Sequence, residues 1–153
     1  MKTWTSLGIV IAVVIGTLLP LQALINARLG AQTQGPLYAS FVSFLVGTCL
    51  LGALLLVTRT PWTPGQPLLS LPPWIWLGGA IGALFVFAAT LLVPRLGAAS
   101  MICLVVLGQV VASLLLDHFG VLGPQRPADA LRVFGALLVI AGAALVVKPW
   151  QPA

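Results

Sequence analysis

The chain has 153 residues, 60% of them hydrophobic and 6% charged. A soluble domain of this size carries about a quarter charged residues, so there is too little polar surface here to coat a globule in water. The composition is that of an integral membrane protein. Seven basic residues against two acidic ones give a net charge of +5. The basic residues Lys2, Arg28, Arg59, Arg95, Arg126, Arg132 and Lys148 stand singly near the ends of apolar runs, where long cationic side chains reach the membrane interface. With no basic patch, nucleic acid is excluded as a partner.

Five apolar runs predict an all-α fold of five transmembrane helices, at about residues 6–28, 36–58, 73–93, 97–118 and 130–147, forming a single transmembrane domain over 1–153. About 20 residues of helix cross a hydrocarbon core of about 30 Å. Trp4, Trp62, Trp74, Trp76 and Trp150 flank these runs, as expected of rings that prefer the headgroup level. The first run, with its single lysine and following small residues, also has the outline of a signal peptide. Its length and the "LINARLG" that follows favour a first membrane span.

Span one contains "LPLQALINARLG". Gln22 and Asn26 are four apart and share a helical face. Pro20 removes the amide that would bond the carbonyl of Gly16, and such breaks occur in membranes where backbone lines a cavity or finds neighbouring donors. Span two opens at Pro36, a residue suited to a first helical turn. Ser40, Ser43 and Gly47 form a small-residue face there, which reads as helix packing or as part of a polar site. "RTPWTPGQPLLSLPP" then breaks the helical pattern. In span three, Gly78 and Gly82 form a small-xxx-small pair; in span five, Gly135 and Gly142 lie a heptad apart. With Gly47 they are expected to mark close helix approach, within or between subunits. "RLGA" at 28–31 and again at 95–98 is expected in turns between spans.

Span four carries the strongest stripe. Gln109, Ser113 and Asp117 recur every fourth residue and lie on one face. Polar groups are costly in an apolar medium without partners or water, so they either glue helices together or line a cavity. Asp117, at the span end, reads as a coupling or gating residue or as an interfacial partner of Arg126 or Arg132. "FGVLGPQRPAD" ends the span at glycine and opens span five near Asp129, an acid suited to a helix start.

The absences inform as well. No glutamate exists, and no ionisable residue lies at mid-span. No phosphate-binding loop, nucleophile elbow or metal-ligand cluster is present, so no enzyme activity, no cofactor and no metal is expected. Neighbouring helical residues point about 100° apart, so Asp117 and His118 do not face together as a catalytic pair. Cys49 and Cys103 read as small buried apolar residues.

Orientation is weakly specified. With an N-terminus in the cytoplasm, that side holds Lys2, Arg59, Arg126 and Arg132, and the other holds Arg28, Arg95 and Lys148. Charge bias sets orientation, and here it nearly vanishes, which fits insertion both ways and antiparallel pairing. Depth agrees. Gln22 lies about 10 Å inside its span end, and in an inverted partner Ser113 and Gln109 lie about 7 and 13 Å from that same side.

The ordered pattern of Gln22 and Asn26 before "RLG", then "SFLVG" at 43–47, "WLGGAIGAL" at 76–84, "PRLGAAS" at 94–100, "GQVVASLLLDHFGVLG" at 108–123 and "GALLVIAGAALV" at 135–146 resembles the YdcZ-like five-span family of the drug/metabolite transporter superfamily. The resemblance covers nearly the whole chain, and the 108–123 segment is its most specific part. It implies a bacterial inner-membrane exporter of unassigned substrate, with an inverted-repeat architecture in which a five-span chain is half of a ten-helix antiparallel dimer. The partner is a second copy or a homologous five-span chain. The chain is similar, more distantly, to the four-span small multidrug resistance transporters. Those rely on a glutamate in span one, where this chain has Gln22 and Asn26.

These readings converge on a small-solute transporter working by alternating access. Its expected site is Gln22, Asn26, Ser43, Gln109 and Ser113, with Asp117 coupling or gating. Amides and hydroxyls without fixed charge suit a small polar or zwitterionic solute. The other readings are a non-transporting scaffold or subunit, and a facilitative channel.

Overall fold

The structure, a computed structural model, describes residues 2–61 and 70–147, with side chains from Ser6 onward. Five helices follow in order: α1 Lys2–Gln32, α2 Pro36–Val57, α3 Leu77–Leu96, α4 Ala98–Phe119 and α5 Ala130–Val147. A short 3-10 helix, Pro73–Trp76, leads into α3. No strand occurs among the described residues. Each helix is long and apolar enough to cross a bilayer. Even α5, with 18 residues, rises about 27 Å. Leucines, valines and isoleucines are exposed along all five. In water that surface would be a liability; in lipid it faces its own kind of solvent.

The chain divides into two compact units, Met1–Arg95 and Leu96–Ala153. In the first, α1 and α2 pack as a hairpin. The turn is tight. Gly35 has φ +103°, and Pro36 occupies the first turn of α2. A side chain on Gly30 would come within 3.2 Å of the Gly35 carbonyl carbon and 3.3 Å of the Pro36 backbone, so the chain folds back directly over this glycine.

Two helix ends differ from the sequence expectation. α1 continues to Gln32, so Arg28–Ala31 is helical and not a turn. Nothing in "ARLGAQ" stops a helix, and the reversal waits for Gly35. Pro94 lies inside α3, which runs on to Leu96. A proline in the last turn costs only one backbone bond, and the break comes at Gly97, with φ +78°. Pro20 is likewise inside a continuous α1.

α2 and α3 meet through small residues. The Ser40 hydroxyl lies 3.5 Å from that of Thr90, and Thr90 is 1% exposed. Each hydroxyl also reaches a carbonyl four residues back in its own helix, at Pro36 and at Val86. Ala39, Ala89 and Val93 are buried beside them. Small-residue contacts of this kind let membrane helices approach closely.

In the second unit α4 and α5 pack together, burying Met101, Ala136 and Ala143. α4 ends at Gly120, in the left-handed region at φ +65°, and α5 is capped by Asp129, whose Oδ1 accepts the Arg132 amide at 2.8 Å.

The packing glycines need redistribution. Of the five expected, only Gly82 faces another helix within the chain: a Cβ there would lie 3.6 Å from the Phe44 ring. At Gly47, Gly78, Gly135 and Gly142 it would meet nothing within 4 Å. On α5 the buried pair is Ala136 and Ala143, one position on from the glycines and so about 100° around the helix. Cys49 is exposed and Cys103 half-buried. The expectation of two buried cysteines is therefore corrected for Cys49, whose side faces outward from α2. Trp74 and Trp76 are exposed ahead of α3; the Trp4 side chain, Trp62 and Trp150 lie outside the described residues.

Candidate functional site: two polar grooves

Each unit carries a polar groove, and the expected site residues divide between them. The first runs along α1 and α2, about 340 Å³, and is lined by Gln22, Asn26 and Ser43 among Leu18, Leu21 and Val46. Asn26 is 4% exposed, and its Nδ2 donates to Ser43 Oγ at 3.2 Å. That bond ties the two helices at the groove floor and leaves the serine hydroxyl's own hydrogen available. Gln22, one turn earlier on the same face, is exposed, and its amide has no hydrogen-bond partner among the described residues. An adjoining pocket places Gln22 and Ser43 together with Gly47, Thr48 and Val86. Gly47 thus borders the polar site, where its missing side chain leaves room.

The second groove, about 330 Å³, lies along α4 and α5 and is lined by Gln109, Val110, Ser113, Leu114, Asp117 and Arg132. The polar stripe of span four is therefore one wall. Ser113 Oγ donates to the Gln109 carbonyl of its own helix, so its hydrogen is used and only its lone pairs face the groove. The Gln109 side-chain amide and the Asp117 carboxylate have no partner among the described residues.

Arg132 is the residue that sequence reading missed as a site member. The sequence offers it as a cation at the interface and as one of two possible interfacial partners of Asp117, fifteen positions away, but not as part of the site. The α4–α5 connection brings them to one groove. Arg126 N–H donates to the Asp117 carbonyl at 2.8 Å, Gln125 Nε2 donates to the His118 carbonyl at 3.0 Å, and the Ala128 amide donates to His118 Nδ1 at 3.2 Å. A cation placed at the start of one helix and an acid at the end of the previous one was the available signal.

Thr90 was missed too. Its signal was one hydroxyl in an otherwise apolar stretch of span three. The described residues hold no group of three or more potential metal ligands. The polar chemistry of both grooves is that of amides, hydroxyls and one opposed pair of charges, which can bind and orient a solute.

A family model described as "Putative inner membrane exporter, YdcZ" matches residues 7–145. This chain belongs to the YdcZ family. It is 29% identical over 143 residues to the inner membrane protein YdcZ of Escherichia coli strain K12, covering 94% of this chain and 96% of that one. No solved structure matches. Family membership and five helices of membrane length make this a multi-pass inner-membrane protein of an exporter family.

Proposed function

We propose that the chain exports a small polar solute by alternating access, as an antiparallel dimer in which the α1–α2 groove of one copy and the α4–α5 groove of an inverted copy enclose one cavity. The single observation behind this reading is that Gln22 and Gln109, both deep within membrane spans, expose side-chain amides to grooves and have no hydrogen-bond partner among the described residues. Unpaired amides in hydrocarbon are costly. Water, solute or a second copy must meet them. From their positions along the spans, Gln22 of one copy and the Gln109–Ser113 segment of an inverted copy come to similar depth. Rocking of inverted halves about such a midplane site is the general mechanism of repeat-built transporters. The partner is a second copy, or a homologous five-span chain, in contact with membrane lipid.

The hydrogen bonds Asn26–Ser43 and Ser113–Gln109 also suit plain helix glue in a non-transporting subunit. Labelling separates the two. In a background carrying Cys49→Ser and Cys103→Ser, the single substitutions Gln22→Cys and Gln109→Cys are each expected to react with a membrane-impermeant maleimide, and solute is expected to slow that reaction. Protection of both positions from water would overturn the cavity and leave the glue.

A further inference from the structure

The α4–α5 groove holds one carboxylate and one guanidinium, Asp117 and Arg132, and no ion pair joins them among the described residues. Both side chains are exposed, so both charges are open to a third group that enters the groove. Neither charge is placed to help its own helix. Asp117 lies in the last turn of α4 and Arg132 in the first turn of α5. An acid at a helix C-terminus and a base at an N-terminus each meet the macrodipole end of like sign. The capping work there is done by other groups, Gly120 for α4 and Asp129 for α5.

The connection holds the two walls in place. The Gln125 side chain donates to the His118 carbonyl and the His118 ring accepts from the Ala128 amide, which clips the 120–129 segment back onto the end of α4, and the Arg126 amide closes on the Asp117 carbonyl. The side chains of Asp117 and Arg132 take no part in these bonds. They remain free to face the groove with the Gln109 amide and the Ser113 oxygen.

We infer that this groove is a binding site for a zwitterion, whose ammonium meets Asp117 and whose anionic oxygens meet Arg132, with Gln109 completing its hydrogen bonds. The inference rests on the transporter reading above and sharpens its solute class. The charge balance supports it. A solute with both charges leaves neither protein charge unpaired, whereas an anion or a cation alone satisfies one and strands the other. A stranded charge within a membrane protein is costly. The planar guanidinium binds a carboxylate or a phosphate through two parallel donors. The zwitterion can therefore be a free amino acid or the headgroup of phosphatidylethanolamine.

The test is equilibrium binding to the full chain in phosphatidylglycerol nanodiscs. The probes are glycine, β-alanine and γ-aminobutyrate, with propionate and propylamine as single-charge controls. At least one zwitterion is expected to bind saturably, and both controls at least tenfold more weakly. Asp117→Asn and Arg132→Gln are each expected to weaken the zwitterion about tenfold or more, the range for one charge-assisted bond. Arg132→Lys should fall between, and the paired exchange Asp117→Arg with Arg132→Asp should restore binding if the fold is intact. Phosphatidylethanolamine added to the nanodiscs separates the sources: competition with the amino acid assigns the groove to the lipid headgroup, and no competition assigns it to the free solute. The inference is overturned if Arg132→Gln binds like the unmodified chain, if either control binds as tightly as the zwitterions, or if neither amino acids nor phosphatidylethanolamine bind. Binding without flux in sealed vesicles would sink the transport reading and keep this site. Flux untouched by Arg132→Gln would do the reverse.

Discussion

At the residue scale, the amides of the first groove have different work. Asn26 is buried and bonded across to Ser43, whereas Gln22 is exposed and has no hydrogen-bond partner among the described residues. Asn26→Ala removes an interhelical hydrogen bond, worth about 0.6 kcal/mol on average in membranes and up to about 2, and opens a void at the groove floor. It is expected to lower the melting temperature of the purified protein by a few degrees. Gln22→Ala is expected to leave it unchanged while depressing transport. Equal thermal shifts for the two, measured by scanning fluorimetry in nanodiscs, would show that this division of labour is mistaken. Ser113 changes as well: with its hydrogen spent on Gln109 O, it offers a ligand only acceptor capacity. Ser113→Ala is therefore expected to weaken binding less than Gln109→Ala.

At the element scale, glycines separate into two groups. Gly30 lies under the α1–α2 reversal, where a methyl group would meet backbone at 3.2 Å. Backbone has no freedom to swing aside, so Gly30→Ala should cost stability by about 1–3 kcal/mol, as overpacking does. A methyl group at Gly78 meets nothing within 4 Å among the described residues, so Gly78→Ala should fold as well or slightly better, since alanine favours helix over glycine. Gly78 then becomes a probe of assembly. If Gly78→Ala leaves the monomer stable but shifts the dimer toward monomer on size-exclusion chromatography, α3 lies at the contact between copies. No shift would remove Gly78 from that contact. The 120–129 connection obeys the same logic. Gly120 is left-handed at φ +65°, with Gln125 within 3.1 Å of a built Cβ, so a side chain there is both strained and crowded.

At the scale of the whole molecule, the near-balance of basic residues across five spans leads to an expectation about insertion. A compartment-sensitive reporter fused to the C-terminus should read out on both sides of the membrane. Two added lysines at that end should bias it to one side and reduce transport, by depriving each copy of an inverted partner. Coexpression with a variant biased the other way should restore it. Transport that survives complete one-way insertion would remove the antiparallel dimer.

Much of this was legible along the chain because a bilayer imposes simple rules. A helix must satisfy its own backbone and be about 20 residues long to cross, so apolar length alone located five helices. Four-residue periodicity alone placed Gln22 with Asn26, and Gln109 with Ser113 and Asp117, because helical repeat is a local property. Helix ends were less legible. The sequence suggests turns at 28–31 and 95–98, but α1 runs on to Gln32 and α3 through Pro94 to Leu96, because a proline or glycine near a helix end has a small local cost that packing overrides. What only the tertiary structure decided is which residues distant in sequence share a groove. The bond from Asn26 to Ser43, the hydroxyl contact of Ser40 with Thr90, and the lining of one groove by Arg132 together with Gln109, Ser113 and Asp117 depend on how two helices are rotated about their axes. An apolar surface that lipid accepts on every side does not encode that rotation. The turn that joins the helices sets it, through Gly35 in one hairpin and through Gly120, Gln125 and His118 in the other.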